Sequence, residues 1–292
     1  MTRRAGVLGH PIAHSLSPTL HRAAYAALEL DWDYRTYDVD AGQLATFLEG
    51  VDLDWAGLSL TMPLKVEAVP LMDFVEPFAK LLGVVNTVLV GGRATSRQLV
   101  GANTDVHGIV SALAEGGVTR TEGLSAVVLG GGATAISALA ALGQLGCLSP
   151  VVAVRSRARA GALLRAATAM GLSVRFVDIA DAAAVGAALS HAQAVVSTIP
   201  ADAGAQLAAA ALSDASLASQ APASGAVLLD VVYNPPVTPL ASAWRDAGGT
   251  VVGGERMLLH QAAEQVRLMT GQVAPLAAMD AALRDALAGQ GS

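Results

Sequence analysis

Five short clusters of polar residues hold the side chains of this chain that are best suited to chemistry. In chain order they are Ser15-Leu16-Ser17-Pro18, Thr61-Met62-Pro63-Leu64-Lys65, Asn86-Thr87, Asn103-Thr104-Asp105, and Met257 with Gln261. Together they supply hydroxyls, amides, one ammonium and one carboxylate, a set that suits a small polyhydroxylated anion better than a metal ion. Each cluster also has a plain structural explanation, since Ser17 before Pro18 and the segment 103–105 are both typical of helix starts.

A glycine-rich turn predicts a dinucleotide site further along the chain. The apolar run that ends at Leu129 is followed by Gly130-Gly131-Gly132-Ala133-Thr134-Ala135, which fits the pattern Gly-x-Gly-x-x-Ala. A pyrophosphate must approach backbone N–H groups at a helix N-terminus, and side chains at the first two glycines would block it. The alternative is a glycine turn needed only for packing a helix on a strand. The position of the turn, after a strand and before a helix, favours the cofactor site.

Arginines stand where an NAD enzyme of this kind carries a carboxylate for the ribose 2′-hydroxyl. The next apolar run ends in Val154-Arg155-Ser156-Arg157-Ala158-Arg159. Guanidinium groups there suit a 2′-phosphate, so NADP is favoured over NAD. The alternative is a solvated helix start whose arginines are incidental.

Six apolar runs in the second half of the chain predict a parallel sheet. They are Ala126–Leu129, Val151–Val154, Val174–Val177, Ala194–Ser197, Ala226–Val231 and Thr250–Val252. Ala/Leu-rich segments of helix length separate them, as expected for strands that are covered on both faces. We therefore predict a doubly wound, NADP-binding Rossmann domain over residues 107–254, in which the Ala/Ser-rich segment 201–225 is a helix and a loose connection.

The residues before this domain predict a separate α/β domain that binds the substrate. Its strand-like runs are Gly6–Leu8, Tyr34–Val39, Gly57–Leu60 and Val84–Val90, and it holds four of the five polar clusters. We assign residues 1–106 to it, with a connecting helix at His107–Gly117. Two amphipathic helices over about 255–292 are expected to pack back onto it.

Composition excludes several classes of protein. Hydrophobic residues make up 53% of the 292 residues and charged residues 14%, which excludes intrinsic disorder over most of the length. The net charge of −6, without a run of Lys or Arg, argues against nucleic acid as a partner. Cys147 is the only cysteine, which excludes a disulfide within the chain and a metal site built from several thiolates. No metal is expected. A reducing cytoplasm is the expected compartment. The uncharged stretch between Glu122 and Arg155 is broken by glycines and Pro150, so no membrane span is expected.

Taken in order, the motifs resemble those of the shikimate dehydrogenases. The resemblance runs from residue 6 to about residue 270, and it rests on these segments: Gly9-His10-Pro11-Ile12, His14-Ser15-Leu16-Ser17-Pro18, Thr61-x-Pro63-x-Lys65, Gly83-x-x-Asn86-Thr87, Gly101-x-Asn103-Thr104-Asp105, Asp230-x-x-Tyr233-Asn234-Pro235 and Gly254-x-x-Met257-Leu258-x-x-Gln261. The resemblance implies reversible NADP-linked reduction of 3-dehydroshikimate to shikimate, on the pathway to aromatic amino acids.

The family's substrate and catalytic residues map onto matching positions. By this resemblance Ser15 and Ser17 hold the substrate carboxylate, and Thr61, Asn86, Asp105 and Gln261 bind its hydroxyls. Lys65 and Asp105 are the implied catalytic pair, and Tyr233 and Met257 line the substrate cleft near the nicotinamide. Ketone reduction fits this assignment, because a cation beside the carbonyl oxygen stabilises the developing alkoxide and supplies its proton.

The implied cofactor residues lie in the second domain. They are Gly130, Gly131, Gly132, Ala133, Ala135, Arg155, Ser156, Arg159, Thr198, Val231, Gly254 and Met257. Three positions depart from the family pattern: Ser59 and Val154 stand where Asn is usual, and Ile136 replaces an Arg.

Three other functions remain open at this point. They are a relative that prefers quinate, a non-catalytic dinucleotide-binding regulator on the same scaffold, and a tetrahydrofolate-linked dehydrogenase of related fold. The presence of both Lys65 and Asp105 favours an enzyme, and the two serines disfavour the folate enzyme. A homodimer is left open.

Overall fold

The computed structural model describes residues 2–93, 96–211 and 225–290. The chain forms two compact units, one of residues 1–105 with 258–292 and the other of residues 106–257. Each unit is built on a six-stranded sheet. The predicted two-domain α/β fold is confirmed.

A mixed sheet forms the centre of the first unit. Its strands are β1 (Arg3–Gly9), β2 (Trp32–Asp38), β3 (Trp55–Leu60), β4 (Phe74–Val75), β5 (Thr87–Arg93) and β6 (Ser96–Ala102). They lie in the order β2-β1-β3-β5-β6-β4. Strand β1 runs parallel to β2 and β3, whereas β5 runs antiparallel to both β3 and β6. Every residue of β3 is buried, which is typical of a central strand.

One edge of this sheet collects the polar clusters. Strands β1 and β3 end there, at Gly9 and Leu60. Because β5 is antiparallel to β3 and to β6, it begins at the same edge where β6 ends, with Thr87 opposite Ala102. The segments that follow β1, β3 and β6 and the one that precedes β5 are therefore neighbours in space.

Helices cover the sheets and are numbered through the chain. The described residues include α1 (Ser17–Ala27), α2 (Leu44–Glu49), α3 (Leu64–Glu67), α4 (Pro77–Leu82), α5 (Asp105–Glu115), α6 (Ala133–Gln144), α7 (Gly161–Ala169), α8 (Ala182–Ser190), α9 (Ala201–Ala211), α10 (Pro239–Asp246), α11 (Gly254–Thr270) and α12 (Leu276–Gln290). The connecting helix predicted at 107–117 corresponds to α5. The two predicted tail helices are α11 and α12, and α12 packs on α1. Helix α9 lies in the predicted Ala/Ser-rich segment, of which residues 212–224 lie outside the described residues.

One predicted strand in the first unit begins too early, and strands β4 and β6 were not predicted. The run at 84–90 predicted one strand, but β5 starts only at Thr87. The N–H groups of Val84 and Val85 donate to the carbonyls of Ala79 and Lys65, so these residues are buried without pairing in the sheet. Strand β6 was missed because it carries polar residues and Gly101, and its pairing with β5 compensates for weak local propensity.

The second unit has a fully parallel sheet. Its strands are β7 (Ala126–Leu129), β8 (Val151–Val154), β9 (Arg175–Asp178), β10 (Ala194–Ser197), β11 (Val227–Asp230) and β12 (Thr250–Gly253). They lie in the order β12-β11-β10-β7-β8-β9, which is the doubly wound Rossmann order. The predicted strands are reproduced, with a shift of one residue for β9.

The uncharged stretch after Glu122 contains β7, α6 and β8 rather than one long helix. No helix among the described residues is both long enough and apolar enough to cross a membrane.

An aromatic and polar cluster lies under α1 in the first unit. His21 is fully buried, and its ring stacks on Tyr34 with the ring centroids 4.0 Å apart. Its Nδ1 lies 3.2 Å from the hydroxyl of Tyr25, and its Nε2 lies 3.2 Å from Oε1 of Gln265. Burial lowers the pKa of His21 from 6.5 to about 4, although the hydrogen bond to Gln265 opposes this shift.

This burial makes stability depend on pH. Between pH 6.5 and 4 the unfolded chain takes up a proton on His21 that the folded chain does not, so the free energy of unfolding falls as the pH falls. From pH 7 to pH 5 this contribution amounts to about 2 kcal/mol. Urea unfolding of wild type and His21→Phe at both pH values is the measurement. We expect the variant to lose less stability over this range; an equal loss in both proteins would contradict a neutral buried histidine.

Candidate active site

Lys65 and Asp105 form a buried ion pair at the edge of the first sheet. The Lys65 Nζ lies 2.6 Å from Oδ2 of Asp105, and the two side chains are 12% and 4% exposed. Lys65 lies on α3, directly after β3, and Asp105 is the first residue of α5. Charges this far removed from water require close partners, and the two residues supply them to each other.

Asn86 holds the other oxygen of the Asp105 carboxylate. Its Nδ2 donates to Asp105 Oδ1 at 2.8 Å and lies 3.3 Å from Oε1 of Gln261. Its Oδ1 accepts the backbone N–H of Thr104 at 2.7 Å. Both Asp105 oxygens are thus engaged, while Lys65 has three ammonium hydrogens and Asp105 takes one. The arrangement can present a cationic donor to a ligand oxygen.

Ser15 and Ser17 lie at the beginning of α1. The alternative that Ser17 caps this helix is wrong, because Leu16 occupies the cap position and no side chain caps the helix. Instead, the backbone N–H of Ser17 donates to the Ser15 hydroxyl at 3.3 Å. Ser17 is buried and Ser15 is partly exposed. Two hydroxyls and a helix N-terminus in one place suit a carboxylate.

Thr61 lies beside the end of β1. Its backbone N–H donates to the carbonyl of Leu8 at 2.9 Å, and the backbone N–H of His10 donates to the carbonyl of Met62 at 2.9 Å. These bonds join the loop after β3 to the loop after β1. A side chain at Gly9 would overlap Thr61 Cγ2, so the glycine permits this close approach.

Tyr233 and Met257, predicted beside the nicotinamide, belong to the second unit. Tyr233 is half-buried in the loop between β11 and α10. Both ends of this loop are held by the Asp230 carboxylate, which accepts hydrogen bonds from the Thr238 hydroxyl at 2.6 Å and from the Val232 N–H at 3.3 Å. Burial raises the pKa of Asp230, and the Thr238 hydrogen bond opposes the shift.

A cavity of about 570 Å³ lies at the carboxyl ends of β7, β8 and β10 in the second unit. Strand order reverses between β7 and β10, which is where sheets of this order bind dinucleotides. Seven of the predicted cofactor residues line it: Gly130, Gly131, Gly132, Arg155, Ser156, Arg159 and Thr198.

Gly130 and Gly132 are needed for different reasons, the first by the backbone and its neighbour Thr198 and the second by the space in front of α6. Gly130 has a φ of +109°, and a side chain there would overlap the hydroxyl of Thr198, which donates to the Leu129 carbonyl. Gly132 precedes the first residue of α6, and a Cβ at this position would meet no atom within 4 Å. Space therefore remains in front of the helix N-terminus, as an incoming pyrophosphate requires.

Other predicted cofactor residues do not line this cavity: Ala133, Ala135, Val231, Gly254 and Met257. Ala135 is fully buried, as suits the packing of α6 on the sheet. A side chain at Gly254 would overlap the Val231 carbonyl, so Gly254 lets α11 start close to the end of β11.

The three arginines after β8 divide into two groups. Arg155 and Arg159 line the cavity. Arg157 instead places its Cζ 5.5 Å from the centroid of the Phe176 ring, a cation–π contact outside the cavity lining. The two apolar departures from the family pattern, Ile136 and Val154, are both buried.

Around the ion pair, Gln265 was not singled out from the sequence, and Thr87 and Thr104 were named in the polar clusters without a role of their own. Thr87, Thr104 and Gln265 are buried and hydrogen-bonded around Asn86. A signal for Gln265 was present, because it follows Gln261 by four residues and therefore lies on the same face of α11.

Among the described ranges, no group of three or more His, Cys, Asp or Glu side chains is arranged to hold a metal ion.

Comparison with known proteins identifies the family. A family model of the shikimate dehydrogenase substrate binding domain matches residues 7–88, and one of the shikimate 5'-dehydrogenase C-terminal domain matches residues 254–284. The shikimate dehydrogenase (NADP(+)) of Moorella thermoacetica is 35% identical over 287 residues, which cover 98% of this chain and 94% of that protein. The chain belongs to the shikimate dehydrogenase family.

Solved shikimate dehydrogenases share the fold along their whole length. The Mycobacterium tuberculosis enzyme matches with a TM-score of 0.83 and 38% identity, covering 97% of this chain and 99% of that one. The Thermus thermophilus shikimate dehydrogenase in complex with NADP(H) and shikimate matches with a TM-score of 0.79 and 32% identity, covering 98% of this chain and 100% of that one. The family resemblance drawn from the motifs is confirmed.

The glycine turn provides a test of the cavity geometry. Gly130→Ala places a side chain in a left-handed conformation and against Thr198, so we expect a loss of about 2 kcal/mol or more in the free energy of unfolding. Gly132→Ala enters open space at an allowed conformation, so its cost should stay below about 1 kcal/mol. Urea denaturation of the two variants is the measurement. Equal losses would show that the space in front of α6 is not available to a ligand.

Proposed function

We propose that Lys65 and Asp105 are the catalytic pair of a shikimate dehydrogenase. The chain is an NADP-dependent oxidoreductase of the shikimate pathway that interconverts 3-dehydroshikimate and shikimate. The observation that carries the assignment of the pair is the 2.6 Å contact between Lys65 Nζ and Asp105 Oδ2, buried at a sheet edge where hydroxyls and amides converge.

Lys65 has the properties that proton transfer in this reaction requires. When a ketone is reduced, its oxygen becomes an alkoxide and takes up a proton; when the alcohol is oxidised, the hydroxyl loses it. A positioned ammonium stabilises the alkoxide and donates its proton, and the resulting amine accepts the proton in the reverse direction. Asp105 orients the Lys65 amine and offers a carboxylate oxygen to a substrate hydroxyl.

The remaining polar groups of the first unit are proposed to hold the substrate. Ser15 and Ser17 bind its carboxylate at the start of α1, and Thr61, Asn86 and Gln261 bind its hydroxyls. Gln261 Nε2 donates one of its two hydrogens to the Leu258 carbonyl at 3.1 Å, and the other is proposed to bind a substrate hydroxyl. Tyr233 is also proposed to bind the substrate. Residues 1–106 with about 255–292 would form the substrate domain, and residues 107–254 the cofactor domain.

The cavity of the second unit is proposed to hold the phosphate-bearing adenosine half of NADP. Its lining combines the open space before α6 with the guanidinium groups of Arg155 and Arg159, as suits a pyrophosphate and a 2′-phosphate. When bound, NADP supplies the hydride donor or acceptor for the reaction. Gly130, Gly132, Ser156 and Thr198 are proposed to bind the rest of the cofactor.

The single cysteine, Cys147, is buried and free, which fits a reducing compartment. We place the enzyme in the cytoplasm.

Lysine substitution tests the catalytic pair. The chain has only two lysines, Lys65 and the exposed Lys80, so Lys80→Met is a matched control. Lys65→Met should lower the kcat for shikimate oxidation with NADP by about 10³-fold, the usual worth of a general acid or base. The KM for shikimate should change only a few-fold, because most substrate contacts remain. Lys65→Arg keeps the charge but cannot exchange the proton, so it should also turn over slowly.

Initial rates of all four proteins with shikimate and with quinate are the measurement. Near-normal turnover of a folded Lys65→Met variant would refute the proposed pair.

The arginines test the cofactor site. Arg155→Ala and Arg159→Ala should raise the KM for NADP by about tenfold or more, since one charge-assisted phosphate contact is worth at least about 1.4 kcal/mol. Their kinetics with NAD should hardly change. Arg157→Ala is the matched control, because Arg157 contacts Phe176 and does not line the cavity. Equal losses with NADP and NAD in the first two variants would mean that these arginines are structural.

A further inference from the structure

A row of buried hydrogen bonds connects the catalytic pair to the interior of the first unit. The side-chain contacts run from Tyr34 to Ser59 at 2.7 Å, from Ser59 to Gln265 at 2.8 Å, and from Gln265 to Thr87 at 3.0 Å. They continue from Thr87 to Asn86 at 2.8 Å and from Asn86 to Asp105 at 2.8 Å. All six residues are buried.

The direction of every bond in this row is fixed by groups that can only accept. The Asp105 carboxylate must receive the N–H of Asn86, so the Asn86 oxygen faces Thr87 and receives its hydroxyl hydrogen. The backbone carbonyl of Asn86 can also only accept, and it receives a hydrogen from Gln265 Nε2 at 3.3 Å. The other end of the Gln265 amide, Oε1, is therefore an acceptor. Ser59 therefore donates to Gln265 and accepts from Tyr34. The donors thus point one way, from Tyr34 to Asp105.

The same logic fixes the tautomer of His21. Its Nε2 faces Oε1 of Gln265, which only accepts, so Nε2 carries the hydrogen. The neutral ring then accepts the Tyr25 hydroxyl at Nδ1. Gln265 thereby uses all four of its hydrogen-bonding positions, two as donor and two as acceptor. A fully satisfied buried amide can adopt only one orientation without leaving a polar group unpaired.

We propose that Gln265 is a positioning residue of the enzyme, which acts on Asp105 through Thr87 and Asn86. Gln265 fixes the Thr87 hydroxyl, Thr87 fixes the amide plane of Asn86, and Asn86 holds Asp105 Oδ1 while Lys65 contacts Oδ2. Without this connection Asn86 Oδ1 keeps its hydrogen bonds from Thr104 but loses the one that fixes the amide from the Thr87 side, so the Asp105 carboxylate is held less firmly in the orientation in which it contacts the Lys65 ammonium. The inference rests on the proposed role of Lys65 and Asp105.

Two nearly isosteric substitutions break the row at different places. Thr87→Val removes only the hydroxyl and suits a strand, and Gln265→Met removes the amide with little change in volume. Each should lower kcat/KM for shikimate by about tenfold. The KM for NADP should stay within about twofold, because a residue that positions the substrate-side pair should not alter cofactor affinity. Thr87→Ser restores the hydroxyl and should recover most of the lost activity.

The double variant distinguishes positioning from general destabilisation. If both residues act through Asn86, breaking the row twice costs no more than breaking it once, so the double variant should lose about tenfold in kcat/KM, whereas independent effects would multiply to about 100-fold. Thr270→Val is a control on the same helix: it removes a hydroxyl that donates to the Val266 carbonyl, outside the row, and should leave the kinetics unchanged.

Several outcomes would overturn this proposal. One is multiplicative losses in the double variant; another is lower thermal stability in the single variants with normal kcat and KM for the folded protein. Should Gln265→Met not fold, the comparison of Thr87→Val with Thr87→Ser decides, and equal activity of these two refutes the proposal. Lys65→Met is measured alongside. An inactive Lys65→Met with normal Thr87→Val and Gln265→Met removes only the role of Gln265, whereas an active Lys65→Met removes the catalytic pair and this inference with it.

Discussion

The buried carboxylate of Asp105 has to be matched by partners within hydrogen-bonding distance, because an unpaired charge out of water costs several kcal/mol. Lys65 meets one of its oxygens and Asn86 meets the other. These partners come from segments far apart in the chain, so the sheet must bring them together. It does so by running β5 antiparallel to β3, which places the residue before β5 at the edge where β3 ends.

The need for hydrogen-bond partners continues from Asp105 into the interior of the first unit, because Asn86 and the residues that contact it are themselves buried. Asn86 needs hydrogen-bond partners at both ends of its amide, and Thr87 is one of them. Thr87 accepts a hydrogen bond from Gln265, and Gln265 accepts one from Ser59. Ser59 stands where the family usually has Asn. In this chain its small side chain leaves room for the hydroxyl of Tyr34, which donates to it. The departure from the family pattern is therefore accommodated by a residue of β2, which lies on the other side of β1 in the sheet.

The two units differ in how much of them could be predicted. The strands of the second unit are short apolar runs between glycines and helix-length segments, so hydrophobicity alone located them to within about a residue. In the first unit, β6 was missed because its pairing with β5 outweighs its own composition. The motifs indicated Lys65 and Asp105, and their contact agrees with this. The role of Gln265 depends on which way each amide points, and residue types and spacing do not carry that information.

The first unit is assembled from both ends of the chain, whereas the second unit is one continuous segment. Synthesis adds residues 106–257 before most of α11 and all of α12, so the sequence of the second unit is complete while the first still lacks Gln265 and the helix that packs on α1. Until then the N-terminal strands have an uncovered apolar face, and polar groups that are buried in the complete unit lack their partners on α11. We therefore expect the N-terminal strands to become native only after α11 and α12 have been made, and to be more exposed to aggregation and to chaperones until then.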